Sequence, residues 1–353
     1  MSTSKALLAA AVLSASVSAI GDTFTVNCNP LTTRRVDPVL SFGNPTSDHV
    51  HAVVGGTAFG PSTTNQNAIN SRATTCDKIL DNSIYWSPQL YHINSDGRYE
   101  LVTHKGTAVY YQNRACDYQA GRTTCPSIQT NFAAAPPAGL RMISGNKDLR
   151  TFDKNDITQR AVNHHCLGAV DEETNSLPIR LCDTIRSQVT FPPCWDGVNL
   201  DSANHKSHMA FPEHGDYNGG VCPQSHPHAI MQLFFEFHFD TKKYTDRNFT
   251  FAQGDKTGYG FHGDFINGWK DLTRLGNAHR TCTDAQGVNS PTCSLNVGSD
   301  GSPGHASNQT PEIPAPAEEV GLNGPLAALP NNKIPTGDTP HAKLSSRVFP
   351  SDY

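Results

Sequence analysis

Ten cysteines are the feature that most narrows how this chain can fold. The number is even and no Cys-x-x-Cys pair occurs, which favours five disulfides in an oxidising compartment over a thiolate zinc site or a redox motif. Short loops close at little entropic cost, so the spacing favours Cys116–Cys125 and Cys282–Cys293 as pairs. The other six are left without assigned partners: Cys28, Cys76, Cys166, Cys182, Cys194 and Cys222.

The N-terminus predicts export. Lys5 precedes the apolar segment ALLAAAVLSASVSA, and Val17-Ser18-Ala19 fits the small-residue cleavage rule. Residues 1–19 are therefore predicted to be a signal peptide, removed before residue 20. No later stretch approaches ~18 uninterrupted apolar residues. Asn248 and Asn308 each begin a glycosylation sequon. We expect a secreted, extracellular glycoprotein with no membrane partner after cleavage.

Strand patterns dominate the rest of the chain. The segments GTAVYYQ and IRLCDTIRSQVTF are rich in β-branched or aromatic residues and are bounded by turn residues. The segment LFFEFHFD alternates, which places Phe235, Phe237 and Phe239 on one face of a half-buried strand. The sequence predicts a mostly β fold: a disulfide-stabilised β-sandwich or jelly-roll-like domain with long loops and one or few helices.

One helix is predicted from about Asp264 to about His279. Phe265, Trp269, Leu272 and Leu275 recur at helical spacing, and Asp264 is placed to cap the first turn. Residues 20–293 are expected to form a single domain of catalytic or binding type. Residues 294–353 are rich in Pro, Gly, Asn and Ser without apolar periodicity, which predicts a flexible, low-complexity tail with little core.

Charge and motifs exclude several functional classes. The formal net charge is -5 over 353 residues and no basic run occurs, so nucleic acid is not an expected partner. The chain has no Gly-x-Ser-x-Gly, no His-Glu-x-x-His and no phosphate-binding loop. A histidine-brace copper oxygenase needs an N-terminal histidine, whereas cleavage here is predicted to leave Ile20 at the start.

Histidines gather in four Gly-punctuated stretches, which are SDHVH, NHKSH, SHPH and GFHGD. Imidazole is suited both to proton transfer near neutral pH and to metal binding. We expect SDHVH, NHKSH and GFHGD to converge on one cleft, although a loop histidine can also serve only as a backbone hydrogen-bond partner. The candidate catalytic residues are His49, His51, His205, Lys206, His208, His262 and Asp264. The candidate ligands for one divalent metal ion are His49, His51 and His208.

Aromatic residues lie beside these stretches and are candidates for stacking on a sugar ring. The candidate substrate-binding residues are Tyr85, Trp86, Trp195, Asp201 and Trp269. The alternative for each ring is that it fills the core.

Five stretches in order resemble a known secreted fungal family, domain-of-unknown-function family nineteen-ninety-six. They are RRVDPVLSFGNPTSDHVHAVVGG, NSIYWSPQLY, TFPPCWDGVNLDSANHKSHMAFP, CPQSHPHAI and GDKTGYGFHGDFINGW. The matching positions are Asp37, His49, His51, Trp86, Trp195, Asp196, Asp201, His205, Lys206, His208, His226, Gly260, His262, Gly263, Asp264 and Trp269. Some members carry a C-terminal WSC carbohydrate-binding module, in whose place this chain has the low-complexity tail. The resemblance implies export and, by that association, a carbohydrate setting.

These observations favour an extracellular enzyme that acts on a polysaccharide or cell-wall glycan, by hydrolysis or by elimination. Two alternatives stay open. One is a non-catalytic glycan-binding protein in which the same loops form a binding cleft. The other is a secreted metal-binding protein without turnover.

Overall fold

The protein is described by a computed structural model that covers residues 23–127, 132–168, 171–282, 292–296 and 305–338. The predicted signal peptide and its cleavage site lie outside these residues. The fold is mostly β, as predicted, with two large sheets and three small ones.

The larger sheet has six antiparallel strands. In spatial order they are β1 (Thr23–Cys28), β7 (His104–Gln112), β18 (Gln232–Asp240), β12 (Thr184–Thr190), β10 (Val162–Leu167) and β11 (Glu172–Thr174). The segments GTAVYYQ and LFFEFHFD lie in β7 and β18, and the second half of IRLCDTIRSQVTF forms β12. These strand predictions are confirmed.

The second sheet has five antiparallel strands. In spatial order they are β2 (Pro30–Arg34), β3 (His51–Gly55), β4 (Ile84–Pro88), β20 (His262–Ile266) and β9 (Arg141–Gly145).

Three small sheets and three helices complete the regular structure. The small sheets are β14–β13–β17 (Met209–Ala210, Cys194–Trp195, His228–Ala229), β15–β16–β8 (His214–Asp216, Gly219–Val221, Ala115–Cys116) and β19–β5–β6 (Phe249–Phe251, Leu90–Ile93, Tyr99–Leu101). The helices are α1 (Asn65–Ile69), α2 (Ile157–Arg160) and α3 (Leu272–Thr281). None of the helices in the described part of the chain has the length and apolar character needed to cross a bilayer.

The two large sheets pack face to face as a sandwich. Phe235, Phe237 and Phe239 are fully buried between them, which confirms the predicted alternation along β18. Tyr85 from the five-stranded sheet meets Phe235 with ring centroids 5.3 Å apart. Gly263 of β20 also faces inwards, where an added Cβ would lie 2.7 Å from Val189 Cγ1. Its neighbours His262 and Asp264 consequently face outwards.

All ten cysteines are paired in five disulfides. Cys116–Cys125 and Cys282–Cys293 form as predicted. The remaining bridges are Cys28–Cys76, Cys166–Cys182 and Cys194–Cys222. They close longer loops, so no local rule could select them.

The predicted helix begins later than expected. Residues 262–266 form β20, and α3 starts at Leu272, capped by Asp271, whose carboxylate accepts the amide of Arg274 at 2.9 Å. Asp264 is therefore a strand residue and not a helix cap. Pairing of β20 with both β4 and β9 outweighs the helical spacing of Phe265 and Trp269.

The described part of the tail, residues 305–338, lies along the domain. It is extended except for a 3₁₀ turn at Pro330–Asn332. Val320 and Leu329 are buried in a small core with Val50 and Tyr91. The isolated apolar residues of this segment dock into sites that the domain supplies, rather than forming a core of their own.

Candidate functional site

The outward face of the five-stranded sheet carries three histidines. His51 opens β3 and lies opposite Pro88 of β4, and Asp264 of β20 lies opposite Trp86. His262 lies two residues before Asp264 in β20. The register between β20 and β4 therefore places His262 level with Pro88, and hence with His51. His49 reaches the same point from the turn before β3. Two strands that both pair with β4, together with one turn, thus hold the rings on a rigid support.

The three rings meet. The Nε2 atoms of His49 and His262 are 3.2 Å apart, and the His49 and His51 ring centroids are 4.3 Å apart. One ring nitrogen from each histidine can be selected so that the three nitrogens lie within 4.8 Å of one another. Each residue is at most 2% exposed, so the rings are largely shielded from bulk water.

The other ring nitrogens are held by the surrounding protein. His51 Nδ1 donates to the Val36 carbonyl at 3.0 Å, and His262 Nδ1 donates to the Gly260 carbonyl at 2.9 Å. His49 Nδ1 lies 3.5 Å from Asp48 Oδ2. With the proton on Nδ1, each ring directs the lone pair of Nε2 into the cluster, which is how outer contacts orient metal-binding histidines.

The chemistry of the donors fits a transition metal ion. Burial lowers the pKa of all three imidazoles, so the neutral, ligating form is favoured. With both protons on Nδ1, the Nε2 lone pairs of His49 and His262 cannot hydrogen-bond to each other at 3.2 Å, whereas two nitrogens on one tetrahedral Zn²⁺ would be separated by about 3.3–3.4 Å. His51 Nε2 has no hydrogen-bond partner among the described residues. Zn²⁺ and Cu²⁺ are among the ions that imidazole donors suit.

Two buried carboxyl groups and a lysine adjoin the histidines. Asp264 is fully buried on the same face as His262, about 7 Å along the strand, and neither of its oxygens has a hydrogen-bond partner in the described chain. Burial raises its pKa well above the ordinary value, and nearby Asp37 raises it further. Lys206 opposes this effect electrostatically while donating to the Gly145 carbonyl.

An open cavity leads to the cluster. It has a volume of about 400 Å³, and His262 is part of its wall. Its polar lining comes from Asn146, Lys147, Asp148, Asn204 and Lys206. A neighbouring cavity of about 350 Å³ shares Gly145, Asn146 and Lys206 with it. The two cavities form a groove that passes over the site.

Asp48 connects the histidines to the tail. Its carboxylate contacts His49, lies 2.5 Å from Lys333 Nζ of the tail and 3.6 Å from Lys147 Nζ. Asn331 also donates to the Asp48 backbone carbonyl at 3.0 Å. The hydrogen bond from His49 and that from Lys333 lower the pKa of Asp48, which keeps this carboxylate charged.

The segment NHKSH reaches the site through the backbone of β9 and through Lys206. The carbonyl of His205 accepts the amide of Ile143, and the His205 ring contacts Asp201 at 2.7 Å. His208 stands apart: its ring nitrogens pair with Ser202 Oγ and the Arg141 carbonyl, each at 2.9 Å. The ring that joins His49 and His51 is therefore that of His262, and not of His208 as expected for the metal ligands.

The aromatic candidates lie mainly in the core. Tyr85, Trp86 and Trp269 are at most 3% exposed, so their ring faces are not open to a ligand in this structure. Trp195 is half-buried and donates to the Asn199 carbonyl at 2.6 Å. Asp201 pairs with His205 and lies 3.6 Å from Arg141.

Sequence reasoning did not nominate Asp48, Lys147 or Lys333 as site residues, and it named Asp37 only among the positions that match the family. Asp48 could have been found, because a carboxylate directly before His49 is a natural partner for its ring. Lys333 carries no such signal, since it arrives from a segment 285 residues away.

Comparison with known proteins gives one match. The family model "Domain of unknown function (DUF1996)" matches residues 37–269, which include His49, His51 and His262. No curated protein and no solved structure matches the chain. The chain belongs to the DUF1996 family.

Proposed function

We propose that this chain is a secreted, metal-dependent enzyme that hydrolyses a bond in an extracellular polysaccharide. The observation that carries the proposal is the histidine cluster, in which one ring nitrogen from each of three buried imidazoles lies within 4.8 Å of the others. The Nδ1 atoms of His51 and His262 donate to backbone carbonyls, and that of His49 lies 3.5 Å from Asp48 Oδ2. Three neutral imidazoles leave a coordination position open, as in catalytic sites. A bound Zn²⁺ or Cu²⁺ would supply Lewis acidity and a water of lowered pKa.

The neighbouring side chains would handle protons and charge. Asp264 presents two oxygens without hydrogen bonds beside the histidines, and so it can accept or return a proton. Lys206 lines the cavity and can stabilise negative charge that develops on a substrate oxygen. Asp48 orients His49, and the carbonyls of Val36 and Gly260 orient the other two rings.

The groove supports an extended, hydroxyl-rich substrate. Amide, ammonium and carboxylate groups line it, and these groups offer both donors and acceptors. Leu40, which lines the cavity, and nearby Phe42 are 48% and 52% exposed, so apolar surface is available to a sugar ring.

Elemental analysis together with product analysis tests the proposal. We expect about one equivalent of zinc or copper in the purified protein and soluble products from at least one member of a polysaccharide panel. His262→Ala should lose both. The matched control is His226→Ala, because the His226 ring is bonded to Ser225 and to the Ser207 carbonyl, away from the cluster.

The products also decide the reaction type. Hydrolysis adds the elements of water, whereas elimination leaves an unsaturated sugar that absorbs ultraviolet light. A metal-free protein that still turns over would contradict the metal proposal. A metal-loaded protein without products from any polysaccharide would contradict the enzyme proposal and leave a metal-binding protein.

A further inference from the structure

The six-stranded sheet has its own polar face on the opposite side of the sandwich from the histidines. Alternate residues of its strands point away from the core, and the register aligns them in rows. One row contains Tyr110, Phe234 and Thr190. The next contains Ala108, Glu236, Gln188 and Asn163, and a third contains Gly106, His238, Arg186 and His165.

A connected network covers the middle of this face. Glu236 accepts from Tyr110 Oη at 3.1 Å and lies 3.3 Å from Arg186 Nη1. Arg186 donates to Gln188, which in turn donates to Asn163, each at 2.6 Å. Glu236 is only 6% exposed although it is on the outward side of the sheet. The network fixes five polar side chains in defined positions on this face.

Aromatic rings lie next to this network. Tyr110 and Phe234 face each other across β7 and β18, with ring centroids 5.3 Å apart and both rings half-buried. Tyr217 contributes a third ring at the edge of the same cavity. Aromatic faces beside fixed hydrogen-bonding groups match the two sides of a pyranose ring, which are apolar C–H surface and hydroxyl groups.

Two cavities lie along this face. One cavity of about 420 Å³ extends over Tyr110, Gln112, Phe234 and Glu236, and a second of about 450 Å³ extends over Lys105, Ala108 and His238. From Lys105 to Gln112 the strand β7 advances roughly 23 Å. The floor therefore suits a linear chain of several sugar units rather than a small metabolite.

The charges on the floor indicate the class of ligand. Two charges of each sign line the first cavity, from Arg114, Arg186, Glu173 and Glu236, and Lys105 adds one positive charge in the second. This surface therefore carries little net charge to attract a polyanion or a polycation. The half-buried rings of Tyr110, Phe234 and Tyr217 and the exposed amide of Asn218 favour an uncharged chain.

We propose that the outward face of the six-stranded sheet is a second glycan-binding site, which holds a neutral linear polysaccharide and anchors the protein to it. This goes beyond the proposed enzymatic function, because the two sites lie on opposite sides of the sandwich. The anchoring face and the histidine site would act independently.

The test is retention of the metal-loaded protein on insoluble cellulose, chitin, β-1,3-glucan and xylan. The wild-type protein should be retained by at least one of them. Phe234→Ala should weaken binding about tenfold. Ala108→Gln should do the same by adding bulk to the floor without removing any existing contact. Melting temperatures verify that both variants fold.

Phe152→Ala is the matched control, because Phe152 is also half-buried and packs on a tyrosine, Tyr259, with centroids 5.6 Å apart, but lies outside the groove. It should bind like wild type. The proposal is overturned if no polysaccharide retains the wild-type protein, or if folded groove variants bind as well as it does. His262→Ala should keep retention while losing metal. Loss of retention in that variant would place binding at the histidine site instead.

Discussion

The pairs His49–His51 and His226–His228 have the same spacing in sequence and very different surroundings in the fold. His49 and His51 are both buried. His49 has Nδ1 near Asp48 and Nε2 near His262. His51 has Nδ1 bonded to the Val36 carbonyl and Nε2 without a partner among the described residues. His226 has both ring nitrogens bonded to neighbouring serine residues, and His228 is exposed. The difference teaches that the partner of the second nitrogen distinguishes the proposed ligands from a histidine with both nitrogens bonded, whereas spacing does not.

The largest expected effect is on metal affinity. His51→Ala removes one of three ligands, so the affinity for Zn²⁺ should fall by more than the roughly 10–100-fold typical of outer contacts. Competition with a chromophoric chelator measures it. An unchanged affinity for Zn²⁺ would show that His51 is not a ligand and that the two histidine pairs do not differ in this respect.

The next effect concerns a buried histidine with both nitrogens bonded. His164 contacts Ser187 Oγ at 2.9 Å and the Gly258 carbonyl at 3.0 Å. Burial lowers its pKa from the ordinary 6.5 to about 4. As pH falls, His164 therefore takes up a proton in the unfolded chain before it does so in the folded protein. The contribution of the neutral ring to the unfolding free energy is complete above pH 6.5 and is lost as pH falls to about 4.

The loss amounts to about 3 kcal/mol of unfolding free energy. Urea titrations at pH 7 and pH 4 should therefore show a smaller pH effect in His164→Gln than in the wild-type protein. Equal pH effects in the two proteins would mean that His164 is not held neutral.

His208→Ala should lower stability rather than metal content. It leaves Ser202 and the Arg141 carbonyl without their partner, which costs about 1–3 kcal/mol. Denaturant unfolding and elemental analysis of the same preparation measure both quantities. Loss of metal from a folded variant would show that His208 is a metal ligand.

The smallest effect is at the tail. The Lys333–Asp48 pair is partly exposed, with side chains 25% and 38% accessible, so Lys333→Met should cost less than about 1 kcal/mol. The thermal midpoint should shift slightly and the metal should stay bound. A large loss of stability would show that this contact fastens the tail more strongly than its exposure suggests.

The sequence predicted those features that depend on residues close to one another in the chain. Alternation located the buried face of β18, and short spacing identified two disulfides. It did not identify His262 as the partner of His49 and His51, because residues 213 positions apart meet only when β3 and β20 both pair with β4. The same pairing turned the expected start of a helix into β20. Burial of Tyr85 and Trp86 likewise depends on sheet packing that local patterns do not encode.

Anomalous scattering from a crystal of the metal-loaded protein tests the central claim most directly. Data collected at the absorption edge of the metal should show one peak, about 2.0–2.1 Å from the Nε2 atoms of His49, His51 and His262. A single peak beside His205, His208 or His226, or no peak in a protein soaked with Zn²⁺, would contradict the account.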